Sequence, residues 1–164
     1  MTRPLLKDDN NICFGCSPNN PIGLKMVFEH DGEICRSRFT AGPEHQSWND
    51  VVHGGLLATM MDEAMGKWLW EHGLVAMTAE MTVRYSAAVP VGAELTIESS
   101  LVSQKRRLLV MAASVTLPDG TVAARAKAKF LKVEPALPPE KEEKYEQGRS
   151  LKTSQEKPEE QKSH

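Results

Sequence analysis

Residues 51–70 read VVHGGLLATMMDEAMGKWLW. Two glycines, Gly54 and Gly55, open an apolar run in which Leu57, Met60, Met61, Ala64, Met65 and Trp68 recur at three- and four-residue steps. That period puts them on one face of an α-helix. Gly73, just past the run, stands where a helix end takes a left-handed residue. A second strip, Gly55, Ala58, Thr59, Asp62 and Gly66, follows the same steps and consists of small residues around one carboxylate. Small side chains admit a ligand or another backbone, and a carboxylate is seldom placed among them without a partner or a task. The plainer alternative is close packing of this helix on a sheet or a twin helix, with Asp62 at a wet edge.

The glycines add chemistry. A helix N-terminus offers unpaired N–H groups and a partial positive charge, and glycine leaves them uncovered. Such an end can hold a phosphate, or the oxyanion that forms when an acyl carbonyl is attacked. A tight turn into the helix would explain the glycines equally well. At about 1.5 Å rise per residue, Gly54 and Asp62 lie roughly 12 Å apart along the helix. A reacting carbonyl needs its oxyanion donor and its base each within roughly 3 Å. If both residues are catalytic, Gly54 of one subunit works with Asp62 of another, which requires at least a dimer.

Upstream of the helix, Ala41–Val52 is a loop containing Gly42-Pro43 and then HQSWND, at the mouth of any site there. His45, Ser47, Trp48 and Asn49 are its candidate contacts, against the reading of a solvated loop with one anchoring tryptophan. Earlier still, Leu24, Met26 and Phe28 alternate with polar residues, Asp31-Gly32 is a turn signal, and Glu33–Thr40 returns as a second strand. Before them, Ile12–Ile22 is a Pro/Asn-rich lead-in carrying Cys13 and Cys16. A lone CxxC is half a zinc site. Cys35 with His30, His45 or His53 could complete one, but the plainer expectation is no metal, with the cysteines used as small apolar residues.

Downstream, four strand-like runs follow: Leu74–Tyr85, Glu94–Gln104, Leu108–Leu117 and Thr121–Val133. Pro90-Val91-Gly92, Lys105-Arg106-Arg107 and Pro118-Asp119-Gly120 are their turns. Two strands, one long helix and four strands make an α+β order, an antiparallel sheet with a helix on one face. Beyond Pro135, residues 135–164 hold six Lys/Arg, seven Asp/Glu and few apolar side chains, which predicts a flexible tail. The expected division is a lead-in at 1–22, a domain at 23–134 and the tail at 135–164.

Composition excludes several classes. A chain of 164 residues with 40% hydrophobic and 26% charged content is an ordinary globular protein with one real core. A net charge of −2 gives no basic surplus for nucleic acid. The sequence has no apolar run of membrane-spanning length and no signal-peptide core at its start. An odd count of three cysteines suits a reducing compartment, and the cytoplasm is the expected location.

His53-Gly54-Gly55, with Asp62 nine residues after the histidine, resembles the hotdog-fold acyl-CoA thioesterases of the phenylacetate-degradation type. CFGCSPNNPIGLKM at 13–26 is similar to the N-terminal segment of one bacterial branch, and MTAEMTVRYSAAVPVG at 77–92 to the strand and turn after the helix. The resemblance implies a curved antiparallel sheet wrapped round one central helix, an acyl-CoA substrate, no cofactor, and a homodimer or a dimer of dimers. It implies that Asp62 is the catalytic acid and that Thr78, sixteen residues on, orients it or the water. Strand alternation argues the other way for Thr78. Met77, Ala79, Met81 and Val83 make an apolar face, so Thr78 reaches the site only if the strand starts irregularly or the site is shared. His53 is expected to shape the turn or touch the thioester carbonyl, and Ser47, six before it, to help place water.

A thioester is already activated. Hydrolysis needs a polarised carbonyl, supplied by the Gly54 amide, and Asp62 as general base on water or as nucleophile. Glu63 points about 100° away round the helix and is given a secondary contact with substrate. Gly55 and Asn49 are the other expected contacts. Arg106 and Arg107 could meet the phosphates of coenzyme A, against the reading of a solubilising turn. Two other functions stay open: a hotdog dehydratase or hydratase, which lacks a histidine in the helix interior here, and a non-catalytic acyl-CoA-binding module, for which Asp62 has no use.

Overall fold

The computed structural model describes residues 11–133. The chain divides between Val133 and Glu134 into two units, of which only the first contains described residues. The expected tail therefore lies outside them. The elements run β1 (Phe28–Asp31), β2 (Ile34–Thr40), α1 (Gly54–Glu71), β3 (Ala76–Tyr85), β4 (Glu94–Lys105), β5 (Leu108–Thr116) and β6 (Val122–Lys132). A 3-10 turn, Pro43–His45, precedes the helix.

The strands form one six-stranded sheet in the order β1-β2-β4-β5-β6-β3, with every pairing antiparallel. The sheet wraps α1, which touches all six strands. The helix buries Leu57, Met60, Met61, Ala64, Met65, Trp68 and Leu69, the face its periodicity predicted. Opposite them stand Leu95 and Ile97 of β4, Leu109, Met111 and Val115 of β5, and Ala124, Ala126, Ala128 and Phe130 of β6. Alternation along β5 is regular, each buried residue followed by a half-exposed one, as a sheet with one face on the core requires. The fully buried Met60, Met61, Met65 and Met111 are core side chains.

The helix ends as its glycine predicted. Gly73 has φ of +71°, Leu74 N–H donates to Leu69 O at 2.8 Å, and Gly73 N–H to Trp70 O at 2.9 Å. That pair of bonds is the Schellman closure. The β1–β2 and β4–β5 connections are tight hairpins, Asp31 pairing with Ile34 and Lys105 with Leu108.

The first strand is shorter than the sequence predicts. Leu24 and Met26 are buried, but the chain is not yet a strand there. Their N–H groups donate to Phe14 O at 2.8 Å and Gly15 O at 2.9 Å, in the cysteine segment, and Lys25 between them takes a left-handed φ of +54°. Amides committed to the lead-in are not free to join a ladder. None of the described helices is long and apolar enough to cross a membrane.

Candidate active site

The site is organised by α1 and by the edge strand β3 beside it. His53 is the N-cap. Its Nδ1 accepts the Gly55 N–H at 2.9 Å, which uses one of the orphan donors of the first turn. With Nδ1 an acceptor, a neutral His53 ring carries its proton on Nε2. The residue caps the turn into the helix. Leu56 and Leu57 N–H both reach His53 O, at 3.0 and 3.3 Å. Among the described residues the Gly54 N–H has no acceptor. Of the two glycines, Gly54 therefore holds the donor still free for a ligand.

Asp62 is half-buried, and its Oδ1 accepts a hydrogen bond from Thr78 Oγ1 at 2.7 Å. The contact forms within one chain, and its cause is a β-bulge. In the β3–β6 ladder Thr78 pairs with Phe130, but Glu80 already pairs with Lys129, leaving Ala79 as an extra residue. The bulge resets the alternation. Thr78, Met81, Val83 and Tyr85 pair in turn with Phe130, Ala128, Ala126 and Ala124, all buried. Met77, expected on the apolar face, is instead 68% exposed, and Ala79 is exposed.

Tyr85 is the residue that sequence reasoning missed. Its hydroxyl donates to Gly54 O at 2.8 Å, and a Cβ on Gly54 would stand 3.4 Å from its ring. One strand thus holds both ends of the site, Thr78 at the carboxylate and Tyr85 at the helix entrance. Thr78 and Tyr85 are an odd number of residues apart, so in a regular strand they would face opposite ways. No local sequence signal reveals the single extra residue.

The other candidates scatter. Thr59 Oγ1 donates to Gly55 O at 2.9 Å, and a Cβ on Gly66 would meet nothing within 4 Å. The small strip is therefore open at Gly66, whereas a Cβ on Gly55 would stand 3.0 Å from the His53 ring. In the loop, His45 is an anchor. Its Nδ1 accepts the Gly42 N–H at 2.9 Å, its carbonyl accepts the His53 N–H at 2.8 Å, and its ring packs edge-on against Phe39. Ser47, Trp48 and Asn49 are exposed, and Trp48 at 82% anchors nothing among the described residues. Ser47 N–H donates to Val51 O at 2.8 Å, and Asp50 takes a left-handed φ of +61°. Asp is among the few residues that tolerate that region.

Glu63 has a different partner from the one expected. Its carboxylate accepts from the Cys13 thiol at 3.5–3.6 Å, away from Asp62. Arg107 Nε and one terminal nitrogen donate to Lys132 O at 3.3 and 3.1 Å, tying down the hairpin. Arg106 is exposed at the tip, with a left-handed φ of +53°.

Comparison with known proteins agrees with this architecture. Residues 49–124 match the family model described as the thioesterase superfamily. Acyl-coenzyme A thioesterase THEM4 of Mus musculus is 31% identical over 103 residues, which cover 62% of this chain and 44% of that protein. The chain thus spans less than half the length of that relative. The crystal structure of a thioesterase superfamily protein superposes with a TM-score of 0.68 at 26% identity, covering 71% of this chain and 61% of that one. A hypothetical thioesterase from Streptococcus pneumoniae TIGR4, solved with coenzyme A, shares the fold at a TM-score of 0.63 and 22% identity, covering 66% and 85%. The six-stranded antiparallel sheet wrapped round one helix that opens on His53-Gly54-Gly55 is the hotdog fold, and the match to the thioesterase superfamily lies within it, over residues 49–124.

Proposed function

We propose that the protein is an acyl-CoA thioesterase that hydrolyses acyl- or aryl-CoA to the free acid and coenzyme A. The observation that carries this reading is the pairing of a free N–H at the helix entrance, Gly54, with a carboxylate oriented by a hydroxyl, Asp62 with Thr78. The thioester carbonyl takes its hydrogen bond from Gly54 N–H, supported by the partial positive charge of the helix end. Asp62 takes a proton from water, which attacks the carbonyl carbon, or attacks it directly to form a mixed anhydride that water then opens. Thr78, donating to Oδ1, turns the lone pairs of Oδ2 toward the reacting atom. The thiolate of coenzyme A leaves and takes up a proton. The coenzyme A bound to the pneumococcal relative, and the activity named for the mouse relative, support acyl-CoA as the substrate class. In this reading Arg106 meets the nucleotide phosphates.

The site is read as shared between two copies of the chain, in a dimer or a dimer of dimers. Gly54 and Asp62 are separated by roughly 12 Å of helix and cannot serve one carbonyl. The strip at Gly66 is open, and β3 is a long edge strand whose outer side is unpaired among the described residues. Long open edges are normally covered. Residues 23–134 form the thioesterase domain in this reading, and the three free thiols suit the cytoplasm.

The test is thiol release from a panel of acyl-CoAs by wild type and Asp62→Asn. Asparagine is nearly isosteric and cannot act as the base. The expected loss is about 10²-fold or more in kcat with the circular-dichroism spectrum unchanged. Near-normal hydrolysis by Asp62→Asn would remove Asp62 from the mechanism, and binding without release by wild type would make the protein a binding module.

A further inference from the structure

A second cluster lies on the other side of the helix, where the fold brings Glu63 to the lead-in. Cys13, Cys16 and Glu63 are each half-buried, and their donor atoms all lie within 4.8 Å of one another. Cys13 Sγ is 3.5 and 3.6 Å from the two Glu63 oxygens. We propose that Cys13, Cys16 and Glu63 form a binding site for a thiophilic divalent cation of the zinc class, which clamps the lead-in to the central helix.

The geometry suits such an ion. With Zn–S of about 2.3 Å and Zn–O of about 2.1 Å, tetrahedral neighbours are separated by roughly 3.6 Å for S···O and roughly 3.8 Å for S···S. The Cys13–Glu63 separation already has that length, so the ion enters with little movement. Two thiolates select zinc-class metals over magnesium and calcium. Among the described residues these three supply the donors, and solvent completes the tetrahedron.

The site is also built. Ser17 N–H donates to Cys13 O at 3.1 Å, and Ser17 Oγ to Asn11 O at 2.7 Å. Asn20 Nδ2 donates to Ile12 O at 2.9 Å, and the Leu24 and Met26 amides hold Phe14 and Gly15. Ser17 and Asn20 are buried polar residues whose work is to hold this loop. Between the cysteines, a Cβ on Gly15 would fall 2.5 Å from Glu63 Cδ, so a larger residue there would push the carboxylate from its present place.

Charge balances as well. Lys67, one turn beyond Glu63, lies beside Cys16. Burial pulls its ammonium down, but Cys16, Glu63 and Cys13 more than offset this and keep it charged. Desolvation first, then the Glu63 carboxylate, push the Cys16 thiol up to about 12. A divalent ion that displaces one proton from each thiol brings two positive charges for the two it releases, so the net local charge does not change. Lys67 then donates to a bound thiolate, as outer groups around metal ligands do.

The experiment uses the full 164-residue chain, reduced with a phosphine, stripped with a chelator and titrated with Co²⁺ and then Zn²⁺. Wild type is expected to develop a thiolate-to-cobalt charge-transfer band and tetrahedral visible bands that saturate at one equivalent, and zinc should displace them and raise the Tm. Cys13→Ser and Cys16→Ser should lose the charge-transfer band with the far-ultraviolet spectrum intact. Glu63→Gln, close in shape and able to fold whatever the serine variants do, should bind at least about tenfold more weakly. A folded wild type with no band at one equivalent overturns the proposal, as does a Glu63→Gln variant with unchanged affinity. Hydrolytic activity does not enter the readout, so this result stands apart from the thioesterase reading.

Discussion

Thr78 is the side chain on which the proposed chemistry turns most finely. A carboxylate that accepts one well-made hydrogen bond is held in one rotamer, and its second oxygen is presented at a fixed angle. The 2.7 Å bond from Thr78 to Asp62 is of that kind. Thr78→Val keeps the β-branched shape and removes the donor. With a hydrogen bond to a charged group worth about 1.5–3 kcal/mol, the expected fall in kcat is roughly tenfold to a hundredfold, with KM nearly unchanged. Steady-state kinetics on one good acyl-CoA substrate would decide it. A variant with wild-type kcat would reduce Thr78 to a strand residue that happens to touch the acid. Asp62 was legible from its spacing to the histidine and from the small strip around it. Tyr85 was not, because a tyrosine near a strand end looks like ordinary strand composition.

At the scale of the element, β3 owes its function to one irregularity. Ala79 is the extra residue of the bulge, and it lets Thr78 and Tyr85 face the helix together. Deleting Ala79 should remove the bulge and leave Thr78 opposite Phe130, now two positions before Met81 in a regular ladder and on the same inward face. The expected outcome is a kcat well above that of Thr78→Val, with a cooperative melt retained. A crystal structure or amide exchange across β3 would verify the register. A deletion variant as slow as Thr78→Val would show that facing the helix is not enough and that the bulge itself sets the position of Thr78. The helix, by contrast, was readable end to end. Its buried face, its glycine entrance and its Schellman close follow from local spacing and from backbone freedom at Gly73.

For the whole molecule the central expectation is a site assembled from two chains. Gly54→Leu should crowd the Tyr85 ring and block the amide, since a Cβ alone already reaches 3.4 Å from it. Asp62→Asn removes the base. Each alone should be nearly inactive. Mixing them under conditions of verified subunit exchange makes about half of the dimers hybrid, each with one intact site, so activity should recover to roughly a quarter of wild type. No recovery after exchange would place both groups outside a common shared site. Removing everything after Glu134 is a second test at this scale. The segment 135–164 has almost no apolar side chains to dock, so Tm and kcat should both be retained. A drop of several degrees in Tm would show that it packs on the domain or on a partner copy.

The sequence by itself determined the helix, its buried methionine face, the succession of two strands, one helix and four strands, and the location of Asp62 and Gly54. Each of these rests on short-range periodicity or on a residue's own backbone freedom, and such signals survive in a string of letters. Tertiary structure decided the rest. Leu24 and Met26 carry the alternation of a strand, yet their amides are taken by a loop ten residues earlier, a competition that pattern cannot display. Thr78 meets Asp62 because of a register shift fixed against Phe130 and Lys129 on another strand. Glu63 meets Cys13 across fifty positions because the lead-in folds over the helix, with Gly15 leaving it room. Long-range partners are chosen by packing and by hydrogen-bond satisfaction over the whole domain, which no window of local sequence contains.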